Sequence, residues 1–182
     1  MKTILQWLTT AVICAVVGYF IVIIATPNVL MAGAMRKIGA NGRAVNQFVF
    51  APRTTEASRQ VVRPSPDLVY STCVYDLSKG PLKVHVTPWT TYVSVSVFQA
   101  NSNNIFVLND RQSPGGFDFV LANKGQPTPA GARVVISPST KGIILDRRLA
   151  PTEDDQAHGL NCGSGPRARR LNSADPRSGR GF

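Results

Sequence analysis

The chain is poor in the side chains that most often carry chemistry. It has three cysteines and two histidines, and no two cysteines stand as C-x-x-C. A zinc site asks for about four nitrogen or sulfur ligands at defined spacing, which His85, His158 and three scattered thiols do not supply. No metal or cofactor is therefore expected. Cys14 falls in an apolar run, Cys73 in a β-prone run and Cys162 in a polar tail. Free thiols are the expectation, with a Cys73–Cys162 disulfide as the alternative in an oxidising compartment.

Acidic residues are scarce as well, ten against twenty Lys and Arg, for a net charge of +10. Residues 1–66 contribute +6, residues 67–146 only +1 and residues 147–182 +3. A nucleic-acid binder usually concentrates its cations on the folded domain that makes the contacts, and here the middle is nearly neutral. Basic residues flanking an apolar segment suit anionic lipid headgroups instead, so a lipid bilayer is an expected partner and nucleic acid is not. Paired carboxylates are missing too. Asp67 and Asp76 flank one β-prone run, and extended backbone would hold them roughly 30 Å apart. Long amphipathic helical patterns are also absent beyond the N-terminus, which argues against a parallel α/β sheet.

What the sequence does have begins with Ile4–Ala25, a run without a charged residue. As a helix it spans ~33 Å, enough to cross a hydrocarbon core of about 30 Å. Ala32-Gly33-Ala34 has the small-x-small form of a signal-peptide cleavage site, but the apolar run is longer than the usual h-region. The hydrophobic length therefore favours an uncleaved single-pass anchor over residues 1–26. Lys2 on one side against Arg36, Lys37 and Arg43 on the other leaves the orientation undecided.

Pro27-Asn28 reads as the end of that helix, and Gly33, Gly39 and Gly42 as a juxtamembrane connector over residues 27–62. From Leu68 the pattern turns to short β-prone runs between turn signals. Leu82, Val84 and Val86 alternate with Lys83, His85 and Thr87, and Val93, Val95 and Val97 alternate with serines. This is the period of a half-buried strand. Further strands are expected near Asn46–Phe50, Leu68–Asp76, Ile105–Leu108, Phe117–Leu121, Arg133–Ser137 and Gly142–Asp146. The predicted fold is mainly β, a small antiparallel β-sandwich or barrel-like domain over residues 63–155 behind one transmembrane helix. Residues 156–182, rich in Gly and Arg with few apolar side chains, are expected to be a disordered basic tail.

Several motifs carry a family resemblance. Arg63-Pro64-Ser65-Pro66-Asp67-Leu68-Val69-Tyr70-Ser71 resembles the R-P-N-x-D-x-x-Y-S segment of the bacterial domain of unknown function 1254. Asp76-Leu77-Ser78-Lys79-Gly80-Pro81 is similar to that family's D-L-S-K-G-P turn. Tyr92-Val93-Ser94-Val95 and Asn103-Asn104-Ile105-Phe106 follow in matching order, so the likeness runs from about Arg63 to Asp155. Ser65 replaces the family asparagine, Leu68 a threonine, and Asn123-Lys124-Gly125 stands where a Gly-Pro is usual. The resemblance implies a β-rich domain of membrane or envelope proteins, often beside a companion domain of unknown function 1214. It implies no activity.

Arg63, Asp67, Tyr70 and Asp76 are the candidate binding residues. An Arg63 guanidinium fork reaching Asp67 or Asp76 would orient the Pro-rich loop or hold a carboxylate. The structural alternative is that Arg63 and Asp67 pin the turn into the first strand while Tyr70 caps the core. No catalytic residue is assigned. The expected role is a non-enzymatic module in the bacterial inner membrane that docks a separate protein carrying the companion domain. A small-molecule or enzymatic site around Arg63, Asp67 and Tyr70 is the alternative.

Overall fold

The uncharged N-terminal stretch forms one helix, α1 (Lys2–Ile38), in the computed structural model, which describes residues 2–52, 64–152, 154–155 and 166–171. Its side chains from Ile4 to Ile24 are largely exposed although apolar, and it is long and apolar enough to cross a membrane. The helix does not stop at Pro27. Proline deprives a carbonyl one turn earlier of its donor, which usually kinks or ends a helix. Here Thr26 Oγ1 donates to the Val22 carbonyl at 2.6 Å and Asn28 Nδ2 to that of Ile24 at 3.3 Å, so side chains reinforce the weakened turn. Beyond it, Met31, Ala34, Met35 and Ile38 pack against Val74, Ile143 and Phe98 of the domain. Of the connector expected over residues 27–62, that burial makes 27–38 ordered helix, while 53–62 lie outside the described residues.

The alternating runs become strands as their pattern requires. They are β1 (Phe48–Phe50), β2 (Leu68–Asp76), β3 (Leu82–Val86), β4 (Val93–Gln99), β5 (Asn104–Asn109), β6 (Phe117–Asn123), β7 (Val134–Ser137), β8 (Lys141–Leu149) and β9 (Arg167–Arg170). One sheet has the order β1-β2-β8-β4-β5 and the other β7-β6-β3-β9. They face each other as a sandwich. Cys73, Tyr75, Val93, Val95, Val97 and Ile144 fill the space from one side, and Leu82, Val84, Val86, Phe117, Phe119 and Leu121 from the other.

Three features depart from the expected layout. The domain begins before residue 63, because Phe48 pairs with Cys73 and Val45 bridges Val74. Asn46, at φ 59°, clamps this start by donating to the Asp76 carbonyl and accepting from the Asp76 N–H. The pairing of β6 with β7 is parallel, since the chain after Asn123 turns back and β7 begins again beside Val120. Finally, the tail is not structureless throughout. Arg167–Arg170 forms β9 against β3, with Ala168 opposite Val84 and packed against the core. The remainder of the expected tail, 156–165 and 172–182, and therefore Cys162, lies outside the described residues.

Candidate functional site

The four candidate residues do not converge. Arg63 lies outside the described residues. Asp67 is exposed at the start of β2, where its backbone carbonyl accepts the N–H of Ala150 at 2.8 Å. Asp76 closes the other end of the same strand. Tyr70 sits between them, and its hydroxyl accepts the Ser65 N–H at 3.0 Å. That bond holds the segment 64–66 onto β2, a different role from the cap on the core expected of Tyr70. Tyr70→Phe should therefore cost about 0.5–1.5 kcal/mol in urea unfolding, the worth of one hydrogen bond, and leave the secondary structure unchanged by circular dichroism.

Asp76 belongs to a different neighbourhood, a cleft of about 300 Å³ between the end of α1 and the five-stranded sheet. Ala32, Met35, Val45 and Val74 supply apolar walls, and Arg36, Asp76 and Lys141 bring charge to its lining. Partial burial by itself would raise the Asp76 pKa. Hydrogen bonding from Ser78 and the nearby Lys141 ammonium outweigh it and hold the carboxyl below its ordinary value. Its Oδ1 accepts the Ser78 N–H at 2.9 Å and its Oδ2 lies 3.5 Å from Lys141 Nζ. A carboxylate already engaged on both oxygens and kept ionised is a poor general base. It serves to fix the β2–β3 turn and the first residue of β8.

His85 and Cys73, by residue type a base and a nucleophile, lie on opposite faces of the fold's layers, one outside and one in the core. His85 points from the outer face of β3, as its alternation predicts, and pairs with Asp118, whose other oxygen is 3.5 Å from Lys83 Nζ. Cys73 faces the core with no exposure, and burial pushes its thiol up to about 12. A thiol so resistant to ionisation is no nucleophile. Among the described residues no three His, Cys, Asp or Glu side chains cluster to hold a metal.

The densest polar group escaped the sequence reading. Asp146 and Arg148, two apart on β8, both point into the sandwich and are each 1% exposed. Arg148 Nε donates to Asp146 Oδ2 at 2.9 Å, Ser71 Oγ donates to the same oxygen at 3.0 Å, and Arg148 Nη2 donates to Thr87 Oγ1 at 3.1 Å. The guanidinium carbon also lies 5.2 Å from the centre of the Trp89 ring. Burial raises the Asp146 pKa, and Arg148 and Ser71 oppose that rise. Through these bonds the pair ties β8 to β2 and to the loop after β3. The one available signal was parity: with Ile144 inward, Asp146 and Arg148 must share its face.

Comparison with known proteins agrees with this architecture. The family described as "Protein of unknown function (DUF1254)" matches residues 45–161. The crystal structure of the VPA0106 protein from Vibrio parahaemolyticus superposes with a TM-score of 0.64 at 16% identity, covering 82% of this chain and 36% of that one. An uncharacterised protein from Burkholderia cenocepacia gives 0.53 at 16% identity, covering 75% and 38%. At that identity the likeness concerns the fold, and this chain spans little more than a third of either protein. No curated protein matches the chain.

Proposed function

The chain belongs to the DUF1254 family, and on that premise we propose that it is a non-enzymatic module of the bacterial inner membrane, held there by α1, that docks a second protein. The observation that carries this reading is the outer side of β7, the last strand of its sheet among the described residues, where Val134 and Ile136 stand 37% and 50% exposed. A strand with one unpaired side and outward apolar residues is a template for further pairing unless something covers it. The fold also recurs within proteins roughly twice as long, so it is compatible with additional protein mass packed beside it. The partner proposed is a separate protein carrying the companion domain of unknown function 1214. The alternative small-molecule site is less well supported, because the cleft gathers Asp76 but neither Asp67 nor Tyr70.

Co-expression with such a companion protein tests the reading. After alkaline carbonate extraction both should remain in the membrane fraction and co-elute once solubilised in detergent. Ile136→Lys should abolish co-elution while shifting stability by no more than about 0.5 kcal/mol, as expected for an exposed position. Co-elution unaffected by the lysine, or never seen, overturns the docking surface. Release of the chain by carbonate overturns the anchor.

A further inference from the structure

The last turns of α1 lie across the strands of the five-stranded sheet. At one end, a Cβ on Gly39 would stand 3.6 Å from Val74 Cγ2, so the helix terminates over β2. Phe98 of β4, which packs with the same helix residues, faces Ile143 of β8, which in turn faces Val74. At the other end, Ser102 in the β4–β5 turn donates its hydroxyl to the Pro27 carbonyl at 3.3 Å. Twelve residues of helix rise ~18 Å, and the three strand spacings from β2 to β5 amount to about 14 Å. The helix thus passes β2, β8 and β4 in turn and reaches the level of β5 near Pro27. That is where the uncharged Ile4–Ala25 stretch ends.

This places a particular kind of surface at the end of the apolar helix. From Val86 to Asn109 the chain has no charged residue, so the whole β4–β5 hairpin is uncharged in a protein of net charge +10. Its turn is Asn101-Ser102-Asn103, and β5 beyond it reads Asn-Ile-Phe-Val-Leu-Asn. β5 is the last strand of its sheet, and Val107 is 49% exposed. Ser102 adopts φ 69°, a conformation that favours glycine, while its side chain makes the contact to the helix. An unpaired apolar strand edge needs cover. Apolar residues flanked by uncharged amides suit the boundary between headgroups and hydrocarbon, where amphipathic groups settle.

We infer that the β4–β5 hairpin is a second membrane contact, with the outer edge of β5 resting in the headgroup region of the bilayer that α1 crosses. The inference rests on the anchored reading of α1, and a single experiment separates the two. Full-length protein is placed in phospholipid nanodiscs, one copy per disc, with Cys162→Ser removing the tail thiol. Nitroxide labels are attached singly at native Cys14, or in a Cys14→Ser background at Val107→Cys or at Val49→Cys. Val49 lies on β1, the far side of the same sheet, and is 37% exposed. Power-saturation EPR then compares access to lipid-soluble oxygen with access to an aqueous nickel chelate. The expected result is loss of nickel access at positions 14 and 107, with oxygen access retained, and full nickel access at 49. Nickel access at 107 equal to that at 49, with 14 still in lipid, overturns the hairpin contact and leaves the anchor standing. Nickel access at 14 overturns both.

Discussion

Asp146→Ala is expected to lower the unfolding free energy of the domain by about 3–5 kcal/mol, measured by urea denaturation in detergent. The cost comes less from the lost ion pair than from what it leaves behind. Arg148 cannot reach water at 1% exposure, and without Asp146 its guanidinium loses the carboxylate that balances its charge, which neither Thr87 nor the Trp89 ring replaces. Replacing the pair together, Asp146→Leu with Arg148→Met, should recover most of the loss, since apolar side chains of similar volume need no compensating charge. A double variant as unstable as the single would show that the pair contributes more than it costs to bury.

The pH dependence of the same site follows from its direction of shift. Burial raises the Asp146 pKa in the folded state, so the folded protein binds this proton more tightly than the unfolded chain does. The stability linked to it is fully present below the ordinary carboxylate range and declines as pH rises through the raised value. Asp76 acts in the opposite sense. Its pKa is lowered, so its contribution is present above the ordinary range and is lost as pH falls through the lowered value. Asp146→Asn should therefore flatten the decline that begins above the ordinary carboxylate range and leave intact the loss that Asp76 causes below it. An unchanged slope above that range would contradict the assignment.

A comparable loss, about 3 kcal/mol, is expected from adding one methyl group at Gly142. The backbone there is ordinary strand, so conformational freedom is not what demands glycine. Space is. Tyr75 lies over this position, with its hydroxyl bonded to the Phe98 carbonyl at 3.2 Å and paired with Ser137 Oγ at 3.0 Å. A Cβ at Gly142 would sit 2.6 Å from Tyr75 Cζ and closer still to the Phe98 carbonyl oxygen and the Tyr75 hydroxyl. One of those neighbours is backbone of the adjacent strand and cannot swing aside. Gly115→Ala, where a Cβ would meet nothing within 4 Å, is the control and should be neutral. Equal melting temperatures for the two alanine variants would rule out the steric account.

The strands that sequence made legible are those whose periodicity is local. Leu82, Val84 and Val86 declare β3 without help, as do Val93, Val95 and Val97 for β4. β9 could not be found this way, because Arg-Ala-Arg-Arg offers one small apolar side chain to the core. Its extended form depends on the edge of β3, far away in the chain. α1 beyond Pro27 failed for the same reason: the local rule for proline holds in isolation, and Val74 and Ile143 override it. Of the candidate site, the sequence made legible that β2 separates Asp67 from Asp76. Tyr70 bonds Ser65 where a cap on the core was expected, because that contact depends on how the preceding segment folds back. The Asp146–Arg148 pair stayed hidden because its compensation comes from Ser71 on β2 and from Thr87 and Trp89 in the loop after β3.

The packing of Met31, Met35 and Ile38 on the sheet ties the end of α1 to the sandwich, and under the proposed anchoring and docking that has a kinetic consequence. Were α1 to cross a bilayer, this joint would restrain the sandwich from swivelling on its stalk and limit the height and tilt of the β5 and β7 edges. The proposed partner in the same bilayer would then have to match a single bearing about the membrane normal instead of three Euler angles. Much of the orientational entropy that association ordinarily costs is already removed before the two meet. Loosening the joint with glycines at Met31 and Met35 would return that freedom, and encounter would slow even though every residue of the contact surface remained in place.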